Sequence, residues 1–173
     1  MTTTAGDIMI PLDQYPHIPY WFTLRQAVAE MEKSSLEIEG RHSLPRALLV
    51  FDEKYSLLGI VRRRDILSGL EPSFMHATPV PQRRKLFDVD IDPNLINLSS
   101  DSGIEAIREH AKRPVSEVMS PIEGTAGVVD HLGKIIYTML KKDLNLLPVL
   151  KEGSVVGVVR SVDVFREIAK LVL

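Results

Sequence analysis

Gly59-Ile60-Val61-Arg62-Arg63-Arg64-Asp65 and Gly157-Val158-Val159-Arg160-Ser161-Val162-Asp163 are the two stretches that decide the fold. In each, a glycine lies in an apolar run and an arginine stands three positions before an aspartate. Each stretch also follows a Met-x-Pro segment, Met9-Ile10-Pro11 in the first case and Met119-Ser120-Pro121 in the second. Because both ends match, the chain contains an internal repeat.

The two copies have the same order of predicted elements. Thr23 is suited to cap an amphipathic helix in the first copy, and Asp130 or His131 would begin the equivalent helix in the second. Two short apolar runs joined by a polar turn then predict a hairpin, and a closing helix begins near Asp65 or Asp163. Each copy is therefore a β-α-β-β-α unit. The predicted hairpin strands are 47–51 and 57–61 in the first copy, and 147–150 and 155–159 in the second.

One such unit leaves a face of its small sheet uncovered, so we expect the copies to pair. The predicted class is α/β (α+β), with two pseudo-twofold-related repeats packed through their sheets. The first repeat is assigned to 1–70 and the second to 113–173, joined by a linker over 71–112 with a short helix near 102–112. Pro11 and Gly59 are 48 positions apart but Pro121 and Gly157 only 36, so the first copy has 12 extra residues. We place them within 34–46 and expect a polar loop.

Composition excludes several classes of function. The chain has 173 residues, 45% of them hydrophobic and 25% charged, with a formal net charge of −2, which is typical of a globular protein. A nucleic-acid-binding surface is therefore not expected, although the run Arg62 to Arg64 leaves it as a last hypothesis. The chain contains no cysteine, so thiol catalysis and disulfides are excluded. Without catalytic motifs, paired metal-ligand spacing, a secretory signal or a long apolar run, we expect a cytoplasmic protein that is not an enzyme, binds no metal and lies outside membranes.

The paired glycine-to-aspartate segments and the Met-x-Pro entries resemble the cystathionine-beta-synthase (CBS) domain family, whose tandem pair is called a Bateman module. The resemblance covers nearly the whole chain apart from the insertion and the linker. It implies a regulatory module that binds AMP, ADP, ATP or S-adenosylmethionine in clefts between the repeats, with no obligatory cofactor. It also implies a homodimer that signals to a protein effector, which the sequence does not identify.

The residues of the repeat suit a nucleotide. A glycine such as Gly59 or Gly157 lets a flat base approach the backbone, and the Asp65 or Asp163 carboxylate can accept hydrogen bonds from both ribose hydroxyls. The same aspartates could instead only cap their helices. We favour the cleft containing Asp163, because its entry near Gly127 is small and flexible. The predicted nucleotide-binding residues are Asp163, Arg160, Val158, Gly157, Val128, Gly127, Pro148, Asp65, Arg62, Ile60, Gly59 and Ile18.

The chain departs from the family pattern at Arg62 and Arg160, where CBS nucleotide motifs usually have Ser or Thr. Arginine can bind phosphate through two N–H groups, or its bulk can fill the cleft. Two functions therefore stay open. One is a module that senses an adenosine-containing ligand, and the alternative is a ligand-free interaction or dimerisation module that docks to a separate effector.

Overall fold

The computed structural model describes residues 2–38, 40–71 and 101–173, and all structural statements below concern these residues. The α-helices are α1 (Ala5–Ile8), α2 (Leu24–Lys33), α3 (Arg63–Leu70), α4 (Asp101–His110), α5 (Leu132–Lys142) and α6 (Ser161–Val172). The strands are β1 (Ile10–Pro11), β2 (His17–Pro19), β3 (Leu36–Ile38), β4 (Arg41–Ser43), β5 (Ala47–Phe51), β6 (Leu57–Arg62), β7 (Ala126–Gly127), β8 (Leu146–Lys151) and β9 (Ser154–Arg160).

The two repeats build the same sheet. In the first, β5 pairs in parallel with β2 and antiparallel with β6. In the second, β8 pairs in parallel with β7 and antiparallel with β9. Both hairpins even carry a register shift at the corresponding place, between Val50 and Phe51 and between Val149 and Leu150. The internal repeat read from sequence is therefore a repeat of topology.

Each repeat has its own core, and a third cluster joins them. Helix α2 buries Leu24, Ala27 and Met31, three residues on one helical face, against the first sheet. The joining cluster contains residues of both sheets, including Leu49 from β5 and Val158 from β9, each with no exposed surface. The predicted class, two α+β repeats packed through their sheets, is confirmed.

The entry segments are exchanged between the repeats. Strand β1, from the start of the first copy, pairs antiparallel with β9 of the second, with Ile10 opposite Val158. Reciprocally, Ser120 at the start of the second copy forms a bridge with Ile60 of the first, through two backbone hydrogen bonds of 2.8 and 2.9 Å. Val115 is fully buried in the first repeat's core. Each entry segment thus packs on the repeat to which it does not belong by sequence.

The insertion in the first copy is a β-hairpin, so the expectation of a polar loop was wrong. Strands β3 and β4 pair antiparallel, and Glu37 lies opposite His42. The reason is Leu36, which is only 4% exposed and packs in the cluster between the two sheets. Leu36 therefore anchors to the inter-repeat interface a hairpin whose second strand, β4, is exposed. Of the predicted linker, residues 72–100 lie outside the described residues, and α4 follows them.

Candidate functional site

The carboxylate of Asp163 is held at the first turn of α6. Arg160 ends β9 and precedes the helix, and its backbone N–H donates to Asp163 Oδ2 at 3.2 Å. The Arg160 side chain folds back over the same carboxylate, with Nε 2.9 Å from Oδ2 and Nη2 2.7 Å from Oδ1. Arg166, one turn further along α6, places Nη1 3.6 Å from Oδ1. Asp163 is 4% exposed, so this bidentate pair neutralises a buried charge.

Asp65 repeats this arrangement at the start of α3. It accepts from the Arg62 backbone N–H at 2.8 Å and from Nε and Nη2 of the same side chain, both at 3.0 Å. This hydrogen-bonded pairing raises the pKa of Arg62 above its ordinary value. Ser120, from the exchanged entry segment, accepts from Arg62 Nη2 at 3.1 Å and donates to Asp65 at 3.3 Å. Both aspartates therefore lie at the third position of their helices, where each accepts from the backbone N–H of the arginine that precedes the helix and also binds its side chain.

A cleft of about 600 Å³ opens beside Asp163. Its floor is one face of α6, and its walls come from the N-terminal segment, α1, β1 and the insertion hairpin. Repeats one and two thus both contribute to it. The lining residues are Thr2, Thr3, Asp7, Ile8, Met9, Ile10, Pro11, Gln14, Glu37, Asp163, Arg166, Glu167 and Lys170.

The two repeat glycines are covered by backbone. A Cβ built on Gly157 would lie 2.5 Å from the carbonyl oxygen of Ile10, and one on Gly59 would lie 2.5 Å from that of Ser120. The exchanged entry segment therefore occupies the space that a side chain would take at each glycine. The close approach of two segments of the chain explains why each position is a glycine.

Most of the residues predicted for the two clefts lie outside the lining of the cleft beside Asp163. Among the predicted residues, only Asp163 appears in the lining of the described cleft, with Arg160 bonded to it. Ile18 and Val158 are buried in the cores, and Pro148 is buried within β8. Ile60 is partly buried at the inter-repeat interface.

Gly127 and Val128 lie beside the first repeat's entry segment. The Gly127 N–H donates to Asp130 Oδ2 at 2.7 Å, and the Val128 carbonyl accepts from the Gly6 N–H at 2.9 Å. Val128 thus serves the docking of α1, whereas the Gly127 bond stays within its own turn. The predicted contact of both residues with a nucleotide stays a prediction.

The cleft also contains charged residues that sequence reasoning missed. On α6, Arg166, Glu167 and Lys170 follow Asp163 at positions i+3, i+4 and i+7, so all share its helical face. That spacing could have been read from the sequence. Asp7 and Glu37 could not, because they reach the cleft only through the exchanged entry segment and the insertion hairpin.

Comparison with known proteins identifies this architecture. Residues 115–170 match the family model of the CBS domain. The structure of CBSX2 from Arabidopsis thaliana superposes with a TM-score of 0.65 at 16% identity, covering 99% of this chain and 97% of that one. Residues 115–170 are a CBS domain by this match, and the whole chain has the fold of a tandem CBS pair. The predicted family is therefore confirmed.

Two further CBS structures have the same fold. The CBS domain of a membrane protein from Sphaerobacter thermophilus aligns with a TM-score of 0.66 at 20% identity, over 95% of this chain and 87% of that one. CBSX2 in complex with AMP aligns with a TM-score of 0.62 at 17% identity, over 97% of each chain. No curated protein sequence matches the chain.

The described residues include neither a membrane-spanning helix nor a cluster of metal-ligating side chains. None of its helices is long and apolar enough to span a membrane. Nor do its histidine, aspartate and glutamate side chains form a group of three or more placed to hold a metal ion.

Proposed function

We propose that this CBS pair is a regulatory module that binds an adenosine-containing ligand in the cleft beside Asp163. The observation that carries the proposal is the position of that carboxylate, in the first turn of a helix and in the lining of a cleft of about 600 Å³ to which both repeats contribute. Clefts of roughly 300–1,000 Å³ suit small-molecule ligands. The complex of CBSX2 with AMP supports an adenosine ligand for this fold.

Binding in this cleft requires an exchange of hydrogen bonds. Three N–H donors bond to Asp163, namely the Arg160 backbone, Arg160 Nε and Arg160 Nη2, and Arg166 Nη1 adds an ion pair at 3.6 Å. A ribose diol that donates to the carboxylate has to displace Arg160 from at least one oxygen. The displaced guanidinium has a second polar neighbour, since Nη1 already lies 3.5 Å from Ser43 Oγ on the insertion hairpin. The exchange therefore leaves neither charged group without a partner.

Isothermal titration calorimetry with AMP, ADP, ATP and S-adenosylmethionine tests the proposal. At least one ligand should bind, and Asp163→Ala should weaken its binding at least tenfold, as expected when a charge-assisted hydrogen bond is lost, about 1.5–3 kcal/mol. Asp52→Ala is the control, because Asp52 also accepts backbone N–H bonds, from Lys54 and Ser56 on the turn between β5 and β6, but does not line the cleft. The proposal fails if none of the four ligands binds or if both variants lose affinity equally.

A second function is favoured by the arginines themselves. Because both Arg62 and Arg160 already bind the carboxylates that a ribose would need, the pair can be complete without a ligand. We propose as the alternative a ligand-free interaction module that docks to a separate effector. Under this alternative, all four ligands leave the melting temperature unchanged, and a pull-down recovers the same partner with and without nucleotide.

We also propose that the protein is a cytoplasmic homodimer without catalytic activity. Helices α5 and α6 expose large apolar side chains, among them Tyr137, Leu140 and Phe165, the last two at 77% and 71% exposure. A second copy would cover this face. Light scattering should give twice the 19.4 kDa chain mass, and Phe165→Glu should give the monomer. A monomeric wild-type protein at micromolar concentration would contradict the dimer.

A further inference from the structure

The charges of the Asp163 cleft distinguish among adenosine ligands. On the α6 face the charges alternate, and each cation is already beside an acid: Arg166 Nη1 lies 3.6 Å from Asp163 Oδ1, and Lys170 Nζ lies 2.8 Å from Glu167 Oε1. Because the two lining cations are both adjacent to carboxylates, a phosphate group entering the cleft meets strongly reduced positive potential.

The walls contributed by the first repeat add two more acids. Asp7 accepts hydrogen bonds from the Thr4 backbone N–H at 2.8 Å and from its hydroxyl at 2.9 Å. These bonds, the backbone one foremost, lower the pKa of Asp7, so its carboxylate is charged at neutral pH. Glu37 reaches the cleft from β3, and the burial of Leu36 beside it holds the strand in place. Glu37 Oε2 lies 3.8 Å from His42 Nε2 of the same hairpin, and both side chains are exposed.

The cleft is therefore acidic. Its lining has four carboxylates (Asp7, Glu37, Asp163 and Glu167) and two cations (Arg166 and Lys170), and the adjoining Arg160 still leaves the acids in excess. A triphosphate would bring up to four further negative charges into this field. An adenosyl sulfonium amino acid would bring a net positive charge instead, and its ammonium and carboxylate groups would meet the alternating charges of α6.

We infer that the cleft selects adenosine ligands whose 5′ substituent is cationic or zwitterionic and discriminates against adenosine polyphosphates. This inference rests on the proposed function, because it concerns the ligand of the same cleft. Glu37 is the specificity residue that the insertion hairpin adds to the first copy. The second copy has no such insertion, so it has no residue equivalent to Glu37. The Glu37 carboxylate is supplied to the Asp163 cleft by the first repeat.

Titration calorimetry in magnesium-free buffer at low salt tests the inference with S-adenosylmethionine, S-adenosylhomocysteine, AMP and ATP. The expected order of affinity is S-adenosylmethionine, then S-adenosylhomocysteine, then AMP, then ATP, with at least a tenfold gap between first and last. Since salt screens charges, the gap should narrow at 0.5 M salt. Tightest binding by ATP would overturn the inference while leaving the proposed function intact, whereas no binding by any probe would refute the proposed function.

Reversing one wall charge provides the second arm. Glu37→Lys changes the cleft by two charge units, and an exposed charge pair contributes roughly two- to fivefold in affinity, so the preference for S-adenosylmethionine over ATP should fall about four- to 25-fold. Glu53→Lys is the matched control, because Glu53 is exposed on the turn between β5 and β6 and is not part of the cleft lining. Equal effects of the two substitutions, or no effect of Glu37→Lys in a variant that melts normally, would overturn the inference.

Discussion

Replacing Gly157 by alanine tests the exchange of entry segments directly. The added Cβ would lie 2.5 Å from the Ile10 carbonyl oxygen and 2.8 Å from Met9 Sδ. The methionine side chain can turn aside, but the carbonyl belongs to β1, which is paired with β9. Ile10 is also only 3% exposed within the inter-repeat cluster. Relief of the clash therefore requires β1 to move away from β9.

The size of the effect follows from that rigidity. Forcing an extra carbon into a packed interior typically costs about 1–3 kcal/mol, and the backbone contact places Gly157→Ala in the upper half of this range. For a chain of this size, each 1 kcal/mol lowers the melting temperature by roughly 2–4 °C. We therefore expect the melting temperature to fall by about 4–12 °C, with a corresponding decrease in the free energy of unfolding.

Urea denaturation and differential scanning calorimetry provide the measurement. Gly59→Ala should destabilise to a similar extent, because its Cβ would meet the Ser120 carbonyl oxygen at the same 2.5 Å. Gly133→Ala in α5 is the control of opposite sign. A Cβ there has no neighbour within 4 Å, and alanine in a helix is favoured over glycine by about 0.5–1 kcal/mol. A Gly157→Ala protein within about 0.5 kcal/mol of wild type would refute the exchanged packing.

Three further substitutions probe the same architecture. Leu36→Ala should cost about 2–4 kcal/mol in urea denaturation, because Leu36 anchors the insertion hairpin; a loose loop would lose almost nothing. Ser120→Ala should cost about 0.5–1.5 kcal/mol by losing its bonds to Arg62 and Asp65, and an unchanged stability would place Ser120 outside that network.

Asp130→Asn should lower the melting temperature at pH 6, with a difference that shrinks below pH 3.8. Burial raises the pKa of Asp130, but hydrogen bonds from Gly127 and Lys134 outweigh burial, so the pKa in the folded protein is lower than in the unfolded chain. The ionised carboxylate therefore stabilises the folded protein at pH values above the pKa of the unfolded chain, and this stabilisation is lost as the pH falls through the pKa of the folded protein. A melting-temperature difference that is independent of pH would contradict this assignment.

Local elements were predictable because their causes are local. Thr23 was predicted to cap α2, and its hydroxyl accepts from the Gln26 N–H at 3.1 Å. The second-copy helix begins at Leu132 after His131, one of the two predicted starting residues. Apolar runs likewise located the hairpin strands of both repeats to within a few residues. Side-chain period and capping depend on residues three or four positions apart, which a single sequence displays.

The site was less predictable because its parts are far apart in the chain. Asp163 was predicted to bind a ribose, and that role stays a prediction, although the residue lines a cleft. However, the bidentate closure of Arg160 over that acid depends on a rotamer, and the approach of Glu37 depends on a hairpin anchored by Leu36. Neither follows from spacing along the chain.

By itself, the sequence determined that two similar halves would each form a small sheet with helices and that the uncovered sheet faces would meet. Only the tertiary structure decided that Ile10 and Pro11 complete the second repeat's sheet, that Ser120 reaches the first repeat, and which charges surround Asp163. The physical reason is the separation along the chain over which each kind of interaction acts. Helical period and strand alternation act over a few residues, whereas the pairing of Ile10 with Val158 is selected by packing between segments almost 150 positions apart.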